Sequence, residues 1–380
     1  MAEKEPRGDE DARWQWHVSE KTWRTTKMAD RDAPRAASVV FAKRPKGEYD
    51  PNAQFQVVQG RGSIADVHLT SGQVLVRVVW LAMEPAMRGW MDAGGSYAVP
   101  MRVGEVMRGS GVGQVVASQA KDVKTGDLVT GAFGWCAWKV MAAKHCRLVD
   151  AKRPTRALSL LGWSGLAAYF GLLRVGTPKR GECVLVSAAA GATGIVAVQI
   201  AKHVCGCRVV GVAGGTDKVN QVMQVGADAC VDYKKEGGKH LLRDIAAACP
   251  HGVDVFFDNV GGEVLDGALR ILNMNARVVI CGAISRYNDK VPAPGPRYYM
   301  NLLVKRAKME GFLVLDYESE FPAAMRDLQK WEEQGKVKMQ EDVMNGSLET
   351  LPFALQMLFR GENNGKLIVK IAEVVPRSKL

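Results

Sequence analysis

The stretch "CVLVSAAAGATGIVAVQIAK", residues 183–202, decides how the chain folds. Five apolar residues of strand character run into small residues and two glycines, and a helix begins directly behind them. Ala189-x-Gly191-x-x-Gly194 is the dinucleotide fingerprint with alanine in the first glycine position. Gly191 lets backbone approach a pyrophosphate, and Gly194 lets the helix pack closely on the strand. The first helical turn, at Ala192 and Thr193, offers unpaired N–H groups and a partial positive charge to phosphates. A small-residue turn on its own marks only tight helix–strand packing. Its surroundings give it meaning here.

Downstream, apolar strands are expected at 183–187, 207–212, 229–233, 253–257 and 277–281. They alternate with helices near 194–204, 216–226, 238–248 and 261–273. Such alternation means βαβ units and a parallel sheet with right-handed crossovers. Upstream the pattern differs. "QVLVRVVWLAM" (73–83), "GSGVGQVVAS" (109–118), "GDLVTGAFGWCAWKVM" (126–141) and "CRLVD" (146–150) are short strands punctuated by glycine. They predict a compact, β-rich, barrel-like domain. A helix over 159–173 joins the two regions, and 321–337 reads as amphipathic helix. The final helix and strand in 348–371 have no place in the parallel set, so the strand returns to the first domain. The expected division is 37–165 and 340–375 for the β-rich domain and 166–339 for the nucleotide domain, with 376–380 as a tail.

Residues 1–36 stand apart. They hold eight acidic and eight basic residues without apolar periodicity, a composition expected to stay disordered unless Trp14, Trp16 and Trp23 dock it on a neighbour. The 380-residue chain has a net charge of +11, spread without a basic block. A solvated basic surface is therefore expected rather than nucleic-acid binding. No apolar run approaches the roughly 20 residues that span a bilayer, and the charged start "MAEKEPRGDEDAR" is unlike a secretory leader. The eight cysteines lack metal-type spacing and suit a reducing compartment.

The second strand selects the nucleotide. NAD sites usually carry Asp or Glu about 20 residues past the glycines, to hold the ribose 2′-hydroxyl. This chain has "VVGVAGGTDK", with Gly214 and Gly215 at the strand end and Lys218 just beyond. Asp217 suits a first-turn helix charge. With no carboxylate to repel a 2′-phosphate, NADPH is the expected cofactor.

Together with "SAAAGATG" and "GGTDKV", the stretches "FDNVGGE" (257–263), "CGAISRYN" (281–288), "MEGFLV" (309–314) and "GENNGKLIVK" (361–370) carry a resemblance. From about residue 37 to 371 the chain resembles the zinc-independent medium-chain dehydrogenase/reductases, in particular the prostaglandin reductase and alkenal/one oxidoreductase group. The resemblance implies an α/β fold, a Rossmann doubly wound parallel sheet plus a β-rich GroES-like catalytic domain split across both termini, and a homodimer. It implies a 2′-phosphate site at Lys218 and Tyr233. It further implies that Asn259, the run Cys281, Gly282, Ala283, Ile284, Ser285 and Tyr287, the run Phe312, Leu313 and Val314, and Asn363 line the rest of the cofactor. Where the family commonly reads Asp-Pro-Tyr-Met-Arg, this chain reads Glu84-Pro85-Ala86-Met87-Arg88. Alanine at 86 removes an aromatic substrate contact and widens the pocket.

No metal is expected. Zinc-dependent relatives need Cys or His in the stretches that read "MEPAMRG" (83–89) and "MRGSGVGQV" (107–115) here, and His68 is the sole histidine across 37–130. Without a Lewis acid a conjugated double bond is an easier hydride acceptor than a simple carbonyl, because its charge spreads to a distant oxygen. The expected reaction is reduction of an α,β-unsaturated ketone or aldehyde; the resemblance implies the Tyr287 hydroxyl and the nicotinamide ribose 2′-hydroxyl as donors to the enolate oxygen, and a proton then reaches the α-carbon from Tyr287 or water. Quinone reduction, enoyl-thioester reduction and a redox-inactive, RNA-contacting NADPH module are the alternatives. Finally, Ser378-Lys379-Leu380 matches the tripeptide read by the peroxisomal import receptor, and Pro376 ahead of it ends the last strand. Peroxisomal location is therefore expected.

Overall fold

The computed structural model describes residues 37–60, 63–94, 97–291 and 294–380; the expected tail at 1–36 lies outside the described residues. The apolar strands Cys183–Ser187, Arg208–Ala213, Ala229–Asp232, Val253–Asp258 and Leu272–Ile280 all pair in parallel, joined by Lys308–Gly311 at one edge. Numbered in chain order, the sheet runs 3-2-1-4-5-6. The order reverses beside Cys183–Ser187, and open α/β sheets bind ligands at such a switch point, outside the carboxyl ends of the strands. Helices cover both faces. One core layer gathers Val184, Val186, Ile195, Phe170 and Phe257, and the other Leu185, Phe256, Ile245 and Leu269.

The helix that follows the fingerprint is α-helical over Ala192–Gln199 and widens into a π-helical stretch, Ile200–Val204. Gly194 sets how closely it lies on the sheet. A Cβ there would stand 2.2 Å from the Ala188 carbonyl oxygen, so any side chain would push the helix away.

The β-rich domain is a sheet in the order Glu341–Asn345, Lys366–Lys370, Gln73–Ala82, Gly111–Ser118, Leu128–Gly131, Arg147–Leu148, with Trp138–Ala142 also on Gln73–Ala82. Lys366–Lys370 pairs antiparallel with Gln73–Ala82 and so ties the end of the chain into the earlier sheet. The core contains Phe41, Tyr49, Met87, Phe133 and Trp135. Several regions differ from the sequence reading. The stretch 126–141 forms two strands, because the chain turns through Gly134 with φ 75°. Lys308–Gly311 and Glu341–Asn345 are strands that their polar composition conceals. Among the described residues no helix is long and apolar enough to cross a membrane.

Candidate active site

A cleft runs along the carboxyl ends of the parallel strands and is closed on its other side by the β-rich domain. Of the site residues expected from sequence, all but Ala189 and Ala283 line it. Ala189 is wholly buried, its amide donating to the Val212 carbonyl at 2.9 Å. The left-handed residue of the fingerprint turn is instead Ala188, at φ 46°. Holding alanine there costs roughly 1–3 kcal/mol, which the packed helix and strand must offset. Ala283 contributes only its amide, which donates to the Tyr287 hydroxyl at 3.3 Å.

At the phosphate end, Gly191 caps the helix Ala192–Gln199 and forms an isolated parallel bridge with Gly365 of the other domain. The next strand ends at Gly214, where a Cβ would stand 2.5 Å from the Tyr233 ring. The place a ribose-binding carboxylate would need is filled by that ring. The carboxylate of Asp232, beside the strand end, already accepts from the amides of Gly215 at 2.8 Å and Lys234 at 2.9 Å. Asp217 lies exposed in the first turn of Thr216–Gln224. Lys218 donates to the Gly361 carbonyl at 2.7 Å, and burial holds its pKa below the ordinary lysine value, with Lys234 adding repulsion. Two of its N–H donors remain for an anion. Lys234 Nζ, 6.0 Å from the Tyr233 ring centroid, adds a second cation that the sequence reading missed. This pocket suits a 2′-phosphate and disfavours a bare ribose.

The middle of the cleft is set by buried Asp258. It accepts from the Ser187 hydroxyl at 2.8 Å, the Val260 amide at 2.9 Å and the Gly261 amide at 3.0 Å. Ser187 accepts from the Asn259 amide, and the Asn259 side chain donates to the Ser187 carbonyl, each at 2.7 Å. That fixes the rotamer and leaves the carboxamide oxygen available to a ligand. Asn363 is held by a bond from its side-chain nitrogen to the Gly365 carbonyl, 2.8 Å, which orders the turn.

At the far end stands Tyr287. Its hydroxyl lies beside Gly282, where a Cβ would come within 3.0 Å, so glycine makes room for it. Burial raises its pKa above the usual tyrosine value, which keeps the phenol protonated. The Cys281 thiol beside it is pushed up to about 12 by burial and is no nucleophile at neutral pH.

At the same end of the molecule stand groups to which the sequence analysis gave no catalytic or binding role. Glu84 and wholly buried Lys366 form an ion pair, and Lys366 also donates to the Met83 carbonyl at 3.2 Å. Trp90 and Tyr97 share the wall with Ala86. Buried Arg88 donates to Asn288 at 3.0 Å, Asp92 at 2.6 Å and the Gly47 carbonyl at 3.0 Å. It ties the β-rich domain to the residue next to Tyr287. Among the described residues no group of three or more His, Cys, Asp and Glu side chains is placed to hold a metal ion.

Residues 38–149 match the family described as N-terminal domain of oxidoreductase, and residues 192–330 match that described as zinc-binding dehydrogenase. An NADPH-dependent curcumin reductase of Escherichia coli is 38% identical, covering 79% of this chain and 88% of its own length. Prostaglandin reductase 1 of Bos taurus is 39% identical, covering 80% and 90%. The chain belongs to the zinc-independent medium-chain dehydrogenase/reductases. It is an oxidoreductase with this family's two-part fold, a GroES-like domain and a Rossmann domain. The crystal structure of CurA from Vibrio vulnificus in complex with NADPH superposes with a TM-score of 0.81 at 35% identity, covering 89% of this chain and all of that one.

Proposed function

We propose that this oxidoreductase uses NADPH to reduce the carbon–carbon double bond of α,β-unsaturated ketones or aldehydes. The supporting observation is the Tyr287 hydroxyl, kept protonated by burial, in the same cleft as the Gly191 turn and the Lys218–Tyr233 pocket. The helix N-terminus at Gly191, with Lys218 and Tyr233, would hold NADPH, which would supply the hydride for the β-carbon. Tyr287 donates a hydrogen bond to the oxygen on which negative charge gathers, lowering the cost of the enolate. The same hydroxyl, or a water held by it, returns a proton to the α-carbon. The Glu84–Lys366 ion pair lines the same cleft as Tyr287.

The test is an NADPH-oxidation panel of alkenals, enones, quinones and enoyl-thioesters, with product analysis. Turnover of enones to saturated ketones supports the reading. Turnover confined to quinones or to thioesters replaces it with one of those reactions.

Two further proposals accompany it. Homodimerisation would cover the exposed edge strand Lys308–Gly311 and the adjacent apolar side chains Met300, Leu303 and Val304. A Leu303→Lys variant that sediments like the wild type removes that interface. Import into peroxisomes would use Ser378–Leu380. Supporting it, Leu380 is exposed, and the main chain is gripped upstream, where Gln114 bonds the Val375 amide and carbonyl at 2.8 Å each. Fluorescent fusions ending with and without the tripeptide that share one diffuse distribution would end this proposal.

A further inference from the structure

Away from the cleft, at the amino ends of the parallel strands, two cysteines meet. Cys183 opens the first parallel strand, and Cys249 directly follows the helix Leu241–Ala248. Both are buried in the same core layer, and their thiols are hydrogen-bond partners. A cation completes the group. Arg208 opens the neighbouring strand in register with Cys183, and its guanidinium donates to the carbonyl of Ala248, one residue before Cys249, at 3.0 Å. The Cys183 amide is itself held by Asp254 at 2.8 Å, which fixes the start of the strand.

We propose that Cys183 and Cys249 form a hydroperoxide-sensitive dithiol that closes to an intramolecular disulfide, with Cys183 as the attacking sulfur and Arg208 as its positioning residue. Cys183 is suited to attack. The hydrogen bond from Cys249 and the charge of Arg208, opposed by burial and by the carboxylates of Asp254 and Asp228, hold its thiol below the ordinary cysteine value; that hydrogen bond and burial raise Cys249, which Arg208 also faces, and burial raises the other six cysteines. The thiolate, not the thiol, attacks peroxide.

In the first step the Cys183 thiolate attacks one peroxide oxygen and the O–O bond breaks. A sulfenic acid forms on Cys183, and the departing alkoxide or hydroxide takes up a proton. Cys249 then attacks the Cys183 sulfur, losing its proton as the S–S bond forms, and the sulfenic hydroxyl leaves as water. Two thiols are oxidised by two electrons in total, and one hydroperoxide is reduced to an alcohol or water. Because the disulfide lies at the end of the sheet opposite the cleft, NADPH-dependent turnover is retained while the nucleotide domain gains a covalent staple.

The experiment uses the full chain, reduced and then exposed to hydrogen peroxide or cumene hydroperoxide. Remaining thiols are alkylated, and intact mass and a non-reducing peptide map are read. The expected result is a loss of about 2 Da, two fewer alkylated cysteines, and one linked peptide pair containing Cys183 and Cys249, reversed by dithiothreitol. Cys249→Ser should stop at a Cys183 sulfenic acid that dimedone traps. Arg208→Gln should reach the same disulfide several-fold more slowly, and with its rate–pH profile displaced upward. First oxidation at any other cysteine overturns the proposal. So does over-oxidation of wild-type Cys183 without a link, or thiols that stay intact at peroxide levels that oxidise free cysteine. An unchanged rate and pH profile in Arg208→Gln removes Arg208 from it. The wild-type map decides even if a variant fails to fold.

Discussion

At its phosphate end the cleft is lined by residues close together in sequence, Ala188 to Gly194 and Gly214 to Lys218, and most of what they present is backbone. At its reaction end Glu84, Trp90, Tyr97, Tyr287 and Lys366 come from segments up to 282 residues apart, and they present side chains. The phosphate end recognises a ligand that is chemically constant, so amides at a helix terminus suffice. The reaction end must shape itself to a substrate and to developing charge, and this takes groups whose identity matters individually. Single substitutions should therefore hurt more at the reaction end.

The largest effect is expected from Lys366→Met. It strands the Glu84 carboxylate, 15% exposed, without its partner. Removing one member of a buried pair costs about 3–5 kcal/mol, and the residual exposure of Glu84 points to the lower figure. Denaturant unfolding reads it, and adding Glu84→Gln should recover part of the loss. Next comes Tyr287→Phe, which should lower kcat roughly 10- to 1000-fold with little change in thermal midpoint. Because burial raises the pKa of Tyr287, kcat should hold through neutral pH, and the alkaline decline from its ionisation should begin only above the ordinary value of 10.0. A decline centred near neutrality would assign the proton to another group.

The smallest effect is expected from Lys218→Ala. It removes one charge-assisted contact and should reduce the preference for NADPH over NADH by about 1–3 kcal/mol, read as the ratio of kcat/KM values. If Lys218→Ala cost more than Tyr287→Phe, the contrast between the two ends would be wrong.

The same contrast explains what could be read from sequence. The strand Cys183–Ser187 and the turn behind it were legible because apolar run, small residues and helix follow one another without interruption. The absence of an acid at Gly214 was legible too, but its cause, the Tyr233 ring packed over that glycine, depends on a contact between neighbouring strands. Lys308–Gly311 was missed because an edge strand with all four residues exposed has no apolar pattern to display. The Glu84–Lys366 pair was hidden for another reason. A buried lysine looks like any surface lysine until the last strand is paired with Gln73–Ala82.

Arg88 shows where this leads. It belongs to the β-rich domain, yet its Nε fixes Asn288, the neighbour of Tyr287 in the other domain. The aim of the Tyr287 hydroxyl thus depends on how the two domains meet. In a deep mutational scan scored by turnover, position 88 should tolerate as little as position 287, and lysine should not rescue it. A single ammonium cannot reproduce three bonds leaving one planar guanidinium in different directions. What such a scan would record as an intolerant site is a mechanical linkage: the alignment of the proposed proton donor in one domain is held from the other domain.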